Sequence, residues 1–312
     1  NFFFILMYYT VIYSVVLMLV ALGGCFSEHS GIINIALEGI MVIGSVAGIL
    51  AMKMIPAGTP LWLCVLLPIA AAAAAGTAYS SLLAFASVNL KANQTIGGTA
   101  LNILAGALAL VIVKRFNNAA TGSQSPKLDF SNGAFTFQAG PLTLNYFFVL
   151  SLILLAVSLV LLYRTRFGLR LQACGEHPQA ADSAGVHVAR MQWSGVLISG
   201  FLAGIGGLAY VVSSVQSWNF EVGVAGMGFL ALAVMIFGQW NPAYIALAAV
   251  FFAVFRALSD IYDSIPLLSS LNMTREMYKT MPFIASMIIL MFTSRKNRCP
   301  KAEGIPYDKS QR

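Results

Sequence analysis

The sequence predicts an all-α protein that crosses a membrane about nine times. Two observations carry that reading. Of the 312 residues, 59% are apolar and only 9% are charged, against roughly 25% charged in soluble domains; the mean hydropathy is +0.81. The charges are also missing in long runs. Residues 1–27, 54–90, 92–113, 130–163, 191–220 and 222–255 carry none. Each run reaches or exceeds the ~20 apolar residues that span a bilayer as a helix. A barrel would alternate in short segments, whereas a continuously apolar segment satisfies its backbone in lipid only as a helix. The same composition excludes an ordinary soluble enzyme and a disordered chain.

Taken in order, the spans fall at 4–23, 32–52, 61–88, 95–113, 146–163, 193–214, 224–238, 242–258 and 281–294, and the whole of 1–312 reads as one transmembrane domain. The first run has neither the basic start nor the small-residue cleavage site of a signal peptide, so it reads as a span. Pro56-Ala57-Gly58-Thr59-Pro60 turns between the second and third spans, and Asn241-Pro242 divides a long run in two. The Gly/Ser/Asn-rich stretch 116–145 reads as a loop.

Lysine and arginine set the orientation. Segment 164–192 holds Arg164, Arg166, Arg170 and Arg190. The tail, 295–312, holds Arg295, Lys296, Arg298, Lys301, Lys309 and Arg312. With nine spans these two segments and Lys91 share one side, and together they outnumber Lys53, Lys114, Arg115, Lys127, Arg256, Arg275 and Lys279 on the other. The larger group marks the cytoplasm, so the net charge of +7 is a topology signal. A nucleic-acid surface does not fit, since no basic run carries interleaved aromatics. Gly39-Ile40-Met41-Val42-Ile43-Gly44 and Ala233-Val234-Met235-Ile236-Phe237-Gly238 each open a trio of spans, and by parity the trios run oppositely. That is the pattern of an inverted repeat.

Few groups in the spans could carry chemistry. Glu38 lies near the cytoplasmic end of span two, with Asn34 four residues before it. A carboxylate in hydrocarbon costs about 2.5–3.5 kcal/mol and needs a partner or a water-filled cavity. The pair reads either as part of a polar route or as a helix-end group reaching water or a neighbouring helix. Asn102 reads either as interhelical glue or as a route residue; Gln94-Thr95 opens its helix and reads as a cap. Trp218-Asn219-Phe220-Glu221, ahead of Gly223, Gly226 and Gly228, reads either as an interfacial anchor or as a re-entrant loop lining a cavity. Aromatic faces beside amide and carboxylate groups would suit a planar polar ligand such as a nucleobase.

Segment 164–192 is longer than a connection needs. Its small residues would let a short helix dock on another protein. Enzyme signatures are missing: there is no Gly-Lys dipeptide and hence no P-loop, no HExxH and no GxSxG. Cys25, Cys64, Cys174 and Cys299 form no CxxC pair and read as unpaired small hydrophobes.

Three stretches together resemble a family. They are Ser27-Glu28-His29-Ser30-Gly31 through Leu37-Glu38-Gly39-Ile40; Phe167-Gly168 with Gly175-Glu176-His177-Pro178 and Ala180-Ala181; and Gly226-Met227-Gly228-Phe229-Leu230-Ala231-Leu232-Ala233 through Phe237-Gly238-Gln239-Trp240-Asn241-Pro242. From about residue 11 to 294 the chain is similar to membrane permeases of bacterial ABC importers, in the superfamily serving branched-chain amino acids, ribose and nucleosides. It most resembles the nucleoside-importer permeases that work beside basic-membrane-protein-type lipoproteins.

The resemblance implies a multi-pass permease of the bacterial cytoplasmic membrane with inverted-repeat architecture. In such permeases a cytoplasmic coupling helix docks on the ATPase; here Phe167, Gly168, Gly175, Glu176, His177, Ala180 and Ala181 would make that contact. It implies a cytosolic ATP-binding subunit, a second permease paralogue forming a heterodimer, and an extracytoplasmic substrate-binding lipoprotein. No cofactor is expected on this chain; ATP and magnesium would sit on the partner. Asn34, Glu38, Asn102, Trp218, Asn219, Phe220 and Glu221 would line or gate the substrate route. Arginine is expected where His29, Gln172, Met227 and Gln239 stand, which puts the charge of the docking contact and of the route in question. Ribose or other simple sugars and branched-chain amino acids are the alternative cargo, and an ion-coupled secondary transporter is the alternative mechanism.

Overall fold

A computed structural model describes residues 2–56, 58–139, 142–214, 217–261, 275–293 and 298–308. Its helices are α1 (Phe2–His29), α2 (Leu37–Met54), α3 (Leu61–Ala84, prolonged by a π-helical turn over Phe85–Asn89), α4 (Gln94–Thr121), α5 (Tyr146–Arg164), α6 (Arg166–Glu176), α7 (Pro178–Ser183), α8 (Val188–Ser214), α9 (Met227–Phe237), α10 (Pro242–Ile261) and α11 (Arg275–Thr293).

Local chemistry sets their ends. Gly31, at φ +92°, stops α1: Ile32 N–H reaches back to Ser27 O and Gly31 N–H to Glu28 O, the paired bonds of a glycine C-cap. The α4 cap is Asn93, whose side chain accepts from Thr95 and Ile96 N–H, not the Gln94-Thr95 pair. Thr165 caps α6, His177 caps α7 ahead of Pro178, and Asn241 Oδ1 accepts Ala243 N–H at the start of α10.

Among the described residues seven helices are long and apolar enough to cross a membrane, where the sequence predicts nine spans. Two expected spans depart. Within 224–238 the helix is α9, whose 11 residues rise ~16 Å, against a hydrocarbon core of ~30 Å. The expected 281–294 falls in α11, which begins earlier and carries Arg275, Glu276 and Lys279 in its first turns; residue 294 lies outside the described residues. The stretch 116–145 is not all loop. Helix α4 runs on to Thr121, and short strands follow: β1 (Lys127–Asp129), β2 (Thr136–Ala139) and β3 (Leu142–Asn145). Strand β2 pairs antiparallel with β3, and β1 with β4 (Ser217–Asn219).

The ends of the bundle follow from contacts. Gly31, Lys91, Gly175, Trp240 and segment 298–308 meet at one end: His29 Nε2 lies 2.9 Å from Trp240 O, Lys91 Nζ 2.9 Å from Asp308, and Ala302 N 2.8 Å from Gly175 O. These are the elements the basic residues place in the cytoplasm, and we call this the inner end. The β1–β4 pair marks the outer end. The strand β4 and Trp240 therefore lie at opposite ends, so the non-helical stretch 220–226 and α9 together make one crossing.

Helix α8 is the centre: 83% of its span is buried, against 22% for α3 and for α5. Side chains such as Ile103 and Leu247 on the outer helices face outward, as lipid requires. Lipid tails supply no hydrophobic drive between helices, so close packing has to hold the bundle. Glycines allow it here. A Cβ on Gly44 would lie 2.5 Å from Gly204 Cα, and Gly204 and Gly76 abut the backbones of Ala72 and Gly200, so α2, α3 and α8 touch main chain to main chain. Gly204→Val is expected to destabilise the bundle by more than the ~1–3 kcal/mol typical of an overpacked core, and so to lower the thermal midpoint. Gly106→Val, with nothing within 4 Å of its Cβ, is expected to leave it in place. Equal thermal unfolding of the two variants in detergent would remove this packing as the cause of stability.

Candidate functional site

Between Gly31 and Leu37 the backbone is not helical, yet it runs deep into the bundle. Asn34 Nδ2 donates to Ser199 Oγ at 2.8 Å, and Ser199 lies 11 residues into α8, ~16 Å along its axis. Irregular backbone at such depth has to be satisfied by protein. Ser27 Oγ donates to Ile32 O (2.7 Å), Ile33 N–H to Gln94 Oε1 (2.7 Å) and Ala36 N–H to Asn34 Oδ1 (3.1 Å). Asn102 does two jobs at once: its Nδ2 donates to Ile35 O at 2.9 Å and its Oδ1 accepts Gly39 N–H at 2.8 Å. Asn34 therefore precedes α2 instead of sharing a helix face with Glu38. It is fully buried. Gln94 is a brace for the 31–36 corner and not a cap of its own helix.

Glu38 stands in the first turn of α2 and reaches α9. Its Oε1 accepts Gly226 N–H at 2.8 Å and its Oε2 accepts Gly228 N–H at 2.6 Å; the Phe229 amide points at the same carboxylate. These are the amides a helix start leaves without partners, and the N-cap position of α9 is Gly226 in a left-handed turn (φ +77°), which has no side chain to offer. One carboxylate thus meets the positive ends of two helices. Gly228 packs on the Glu38 backbone and Gly39 on Asn102, so glycines permit the approach. Glu38 and Asn102 are only partly buried, whereas Asn34 is sealed.

The 218–221 group lies at the outer end. Phe220 is buried and its N–H bonds to Pro126 O. Trp218 packs edge-on to Tyr210, with centroids 5.3 Å apart, and donates Nε1–H to Gly223 O. Asn219 Oδ1 accepts Glu221 N–H, and Glu221 is exposed. Trp218 and Phe220 pack the stretch against its neighbours, and residues 222–226 then lead to the amide of Gly226 on Glu38.

In the 164–192 segment, α6 and α7 form a short helical pair at the inner end. Gly168 faces the backbone of Leu161 and Leu162, Gly175 faces His29 O, and Ala181 is buried. Phe167 is half-buried, while Glu176, His177 and Ala180 are exposed, as is Leu169 at 62%. Of the expected docking residues, three serve the bundle and three face outward. Cys174 packs with Ala181 and Val188, and burial pushes its thiol up to about 11, so it acts as a small hydrophobe. Of the residues where arginine is expected, His29 holds the Trp240 carbonyl and Gln172 donates to Leu162 O at 2.7 Å.

One group was missed from the sequence. In α10, Arg256 and Asp260 are four residues apart, 4.0 Å between Nε and Oδ2. Tyr13 donates to Asp260, and the Arg256 guanidinium lies 5.6 Å over the Tyr13 ring. Two ionisable residues at helical spacing inside an apolar run were the available signal, but Arg256 was read only as a topology charge.

The chain matches the family described as branched-chain amino acid transport system / permease component over residues 6–291. It is 36% identical to the nucleoside ABC transporter permease protein NupC of Lactococcus lactis, across 96% of this chain and 95% of NupC. It is 36% identical to the guanosine ABC transporter permease protein NupQ of Bacillus subtilis, across 97% and 96%. The glucose ABC transporter permease protein TsgB13 of Haloferax volcanii is 26% identical across 77% of this chain and 66% of its own length. No solved structure matches the chain.

Glu38→Ala leaves the Gly226 and Gly228 amides without an acceptor, at about 1–3 kcal/mol for each. The expected outcome is faster amide exchange over 226–229 and a lower thermal midpoint, with Glu38→Gln, which keeps one acceptor oxygen, falling between. Equal exchange in all three proteins would mean that Glu38 does not hold α9.

Proposed function

This chain belongs to the branched-chain amino acid transport system / permease component family and is a multi-pass protein of the cell membrane; from that premise we propose that it is the membrane subunit of an ATP-driven importer for nucleosides. The observation that carries the cargo is end-to-end identity with two permeases whose names specify nucleosides and guanosine. The observation that favours ATP-driven import over ion coupling is the α6–α7 pair. It presents Leu169, Glu176, His177 and Ala180 to the cytosolic side, an apolar and polar surface beyond the lipid where a soluble partner can bind.

In this reading the chain is not an enzyme. A cytosolic subunit binds ATP and magnesium, an extracytoplasmic lipoprotein delivers the nucleoside, and a second permease paralogue completes the route as a heterodimer. Docking on α6–α7 biases the membrane helices between inward- and outward-open states. Glu38 and the 218–226 stretch are the parts of this chain nearest the route. Asn34 and Asn102 act behind them, by holding the start of α2. Sugar import is the second reading, favoured by the match to TsgB13.

Purification of the native complex in detergent, followed by reconstitution and uptake of labelled guanosine, tests this. An ATPase is expected to co-purify and to drive uptake. Glu176→Arg or Ala180→Arg is expected to release it while leaving the fold intact, because both positions are exposed. Gly175→Arg is a poorer probe, since a side chain there strikes His29 O. Guanosine uptake driven by a proton gradient in a complex without an ATPase would overturn the reading; glucose uptake in place of guanosine would select the second.

A further inference from the structure

Segment 298–308 lies across the inner end and joins three elements. Ala302 N–H donates to Gly175 O at the end of α6 (2.8 Å), and Gly304 N–H donates to Gly31 O (3.1 Å) at the start of the 31–36 corner. Lys91, between α3 and α4, pairs with Asp308. In the middle of the segment Glu303 faces α1. Its carboxyl hydrogen-bonds the carboxyl of Glu28 and accepts from the Cys299 thiol.

Two carboxyl groups hydrogen-bond each other only while one of them keeps a proton. Glu28 is 3% exposed and its other partner is the Trp240 indole N–H, at the turn that follows α9. The titratable groups around the pair are the Cys25 thiol on α1, the His29 ring on the Trp240 carbonyl, the Cys299 thiol and, from α6, Glu176. Burial and Glu303 push Cys299 up to about 12, so it stays a neutral donor. Burial also holds the Glu303 carboxyl above the usual carboxylate range.

We propose that segment 298–308 is a proton-dependent clasp, with Glu303 as its positioning residue, that ties the ATPase-facing helix α6 to the backbone corner beneath Glu38. The proposal rests on the docking role given to α6 above. While the Glu28–Glu303 pair keeps its proton the clasp is shut, and α6 moves with the corner. Loss of that proton leaves two carboxylates in contact, with Glu176 close by, and their repulsion frees the segment. The sign follows from the contact: two carboxyl groups share it only with a proton between them, and Glu28 is buried, so the shut state binds the proton more tightly than the open one. Its advantage is therefore complete at low pH and is lost as pH rises through the pair's titration, and the open-to-shut ratio grows by up to about tenfold per pH unit.

The test is limited trypsin digestion of the full chain in nanodiscs, from about pH 6.5 to about pH 9, followed by mass spectrometry. It reads cleavage after Arg298 and Lys301, both exposed. Wild-type cleavage at these sites is expected to rise steeply with pH relative to Glu303→Gln, which keeps a hydrogen-bond partner for Glu28 without a second charge. Glu303→Ala is expected to be cleaved rapidly at every pH. Parallel profiles for wild type and Glu303→Gln would overturn the clasp. In the reconstituted complex, uptake per ATP hydrolysed is expected to fall with rising pH in wild type and to hold in Glu303→Gln; the same fall in both would overturn the tie to coupling. Absence of any ATPase from the wild-type complex would instead overturn the reading of α6, and the two failures are distinguishable because the digestion needs no partner.

Discussion

The structure depends on one carboxylate that serves as the cap of a helix other than its own. Helix α9 starts inside the bundle, and its own N-cap is a glycine with no side chain to offer its first amides. Glu38 supplies both missing acceptors from the first turn of α2. Hydrogen bonds to a charged group are worth about 1.5–3 kcal/mol each, and the alternative here is an unpaired N–H in an apolar surround. Helix α2 in turn begins after a non-helical corner whose backbone Asn34, Gln94, Asn102 and Ser27 help to satisfy. Two interrupted crossings, entered from opposite ends of the bundle, therefore lock onto each other through a handful of polar side chains.

That lock needs close approach, and glycine provides it twice. Around α8 it lets α2 and α3 meet main chain to main chain through Gly44, Gly76 and Gly204. At the polar site it lets Gly228 lie on the Glu38 backbone and Gly39 on Asn102. In lipid, where apolar burial does not distinguish helix from solvent, small residues and buried amides supply the specificity. The same residues that hold the fold therefore shape the site, and the distinction between a route residue and a structural one is a matter of exposure. Glu38 is partly accessible, whereas Asn34 is sealed.

Much of this was legible in the sequence. Charge-free runs gave most of the spans, and the basic residues grouped 164–192, Lys91 and the tail at one end, where Gly175, Lys91 and Asp308 do meet. Glu38 stood out because ionisable groups in apolar runs are expensive. Its partner did not, since it is a pair of backbone amides 188 and 190 residues away, and backbone leaves no mark in composition. Asn34 was placed on a helix because span two was taken to start at residue 32, directly after Gly31, whereas the backbone stays non-helical as far as Ala36. Gly168, Gly175 and Ala181 were grouped with a docking surface because small residues look alike whether they meet a partner subunit or the protein's own backbone. The short α9 was hidden because a seven-residue re-entrant stretch and an 11-residue helix together are as apolar as one full span.

These constraints also limit what can move. Breaking the Glu38 cap without water would cost several kcal/mol, so the start of α2 and the start of α9 belong to one rigid unit. On the inner side Gly31, His29 and Gly175 are packed backbone against backbone. A displacement of α6 is therefore delivered to the 31–36 corner and, through Asn102 and Glu38, to α9. The flanks of α9 have turn geometry: residues 222–226, with left-handed Gly223, Ala225 and Gly226, and the 238–241 turn, with left-handed Gln239 and Trp240, which is tied to α1 through His29 and Glu28. Left-handed non-glycine residues cost of order 1–3 kcal/mol each and persist only where surrounding contacts hold them. Ala225, Gln239 and Trp240 lie at the two ends of α9, so the backbone strain in this part of the chain is stored where the short helix begins and ends, held there by Glu38 at one end and by His29 and Glu28 at the other.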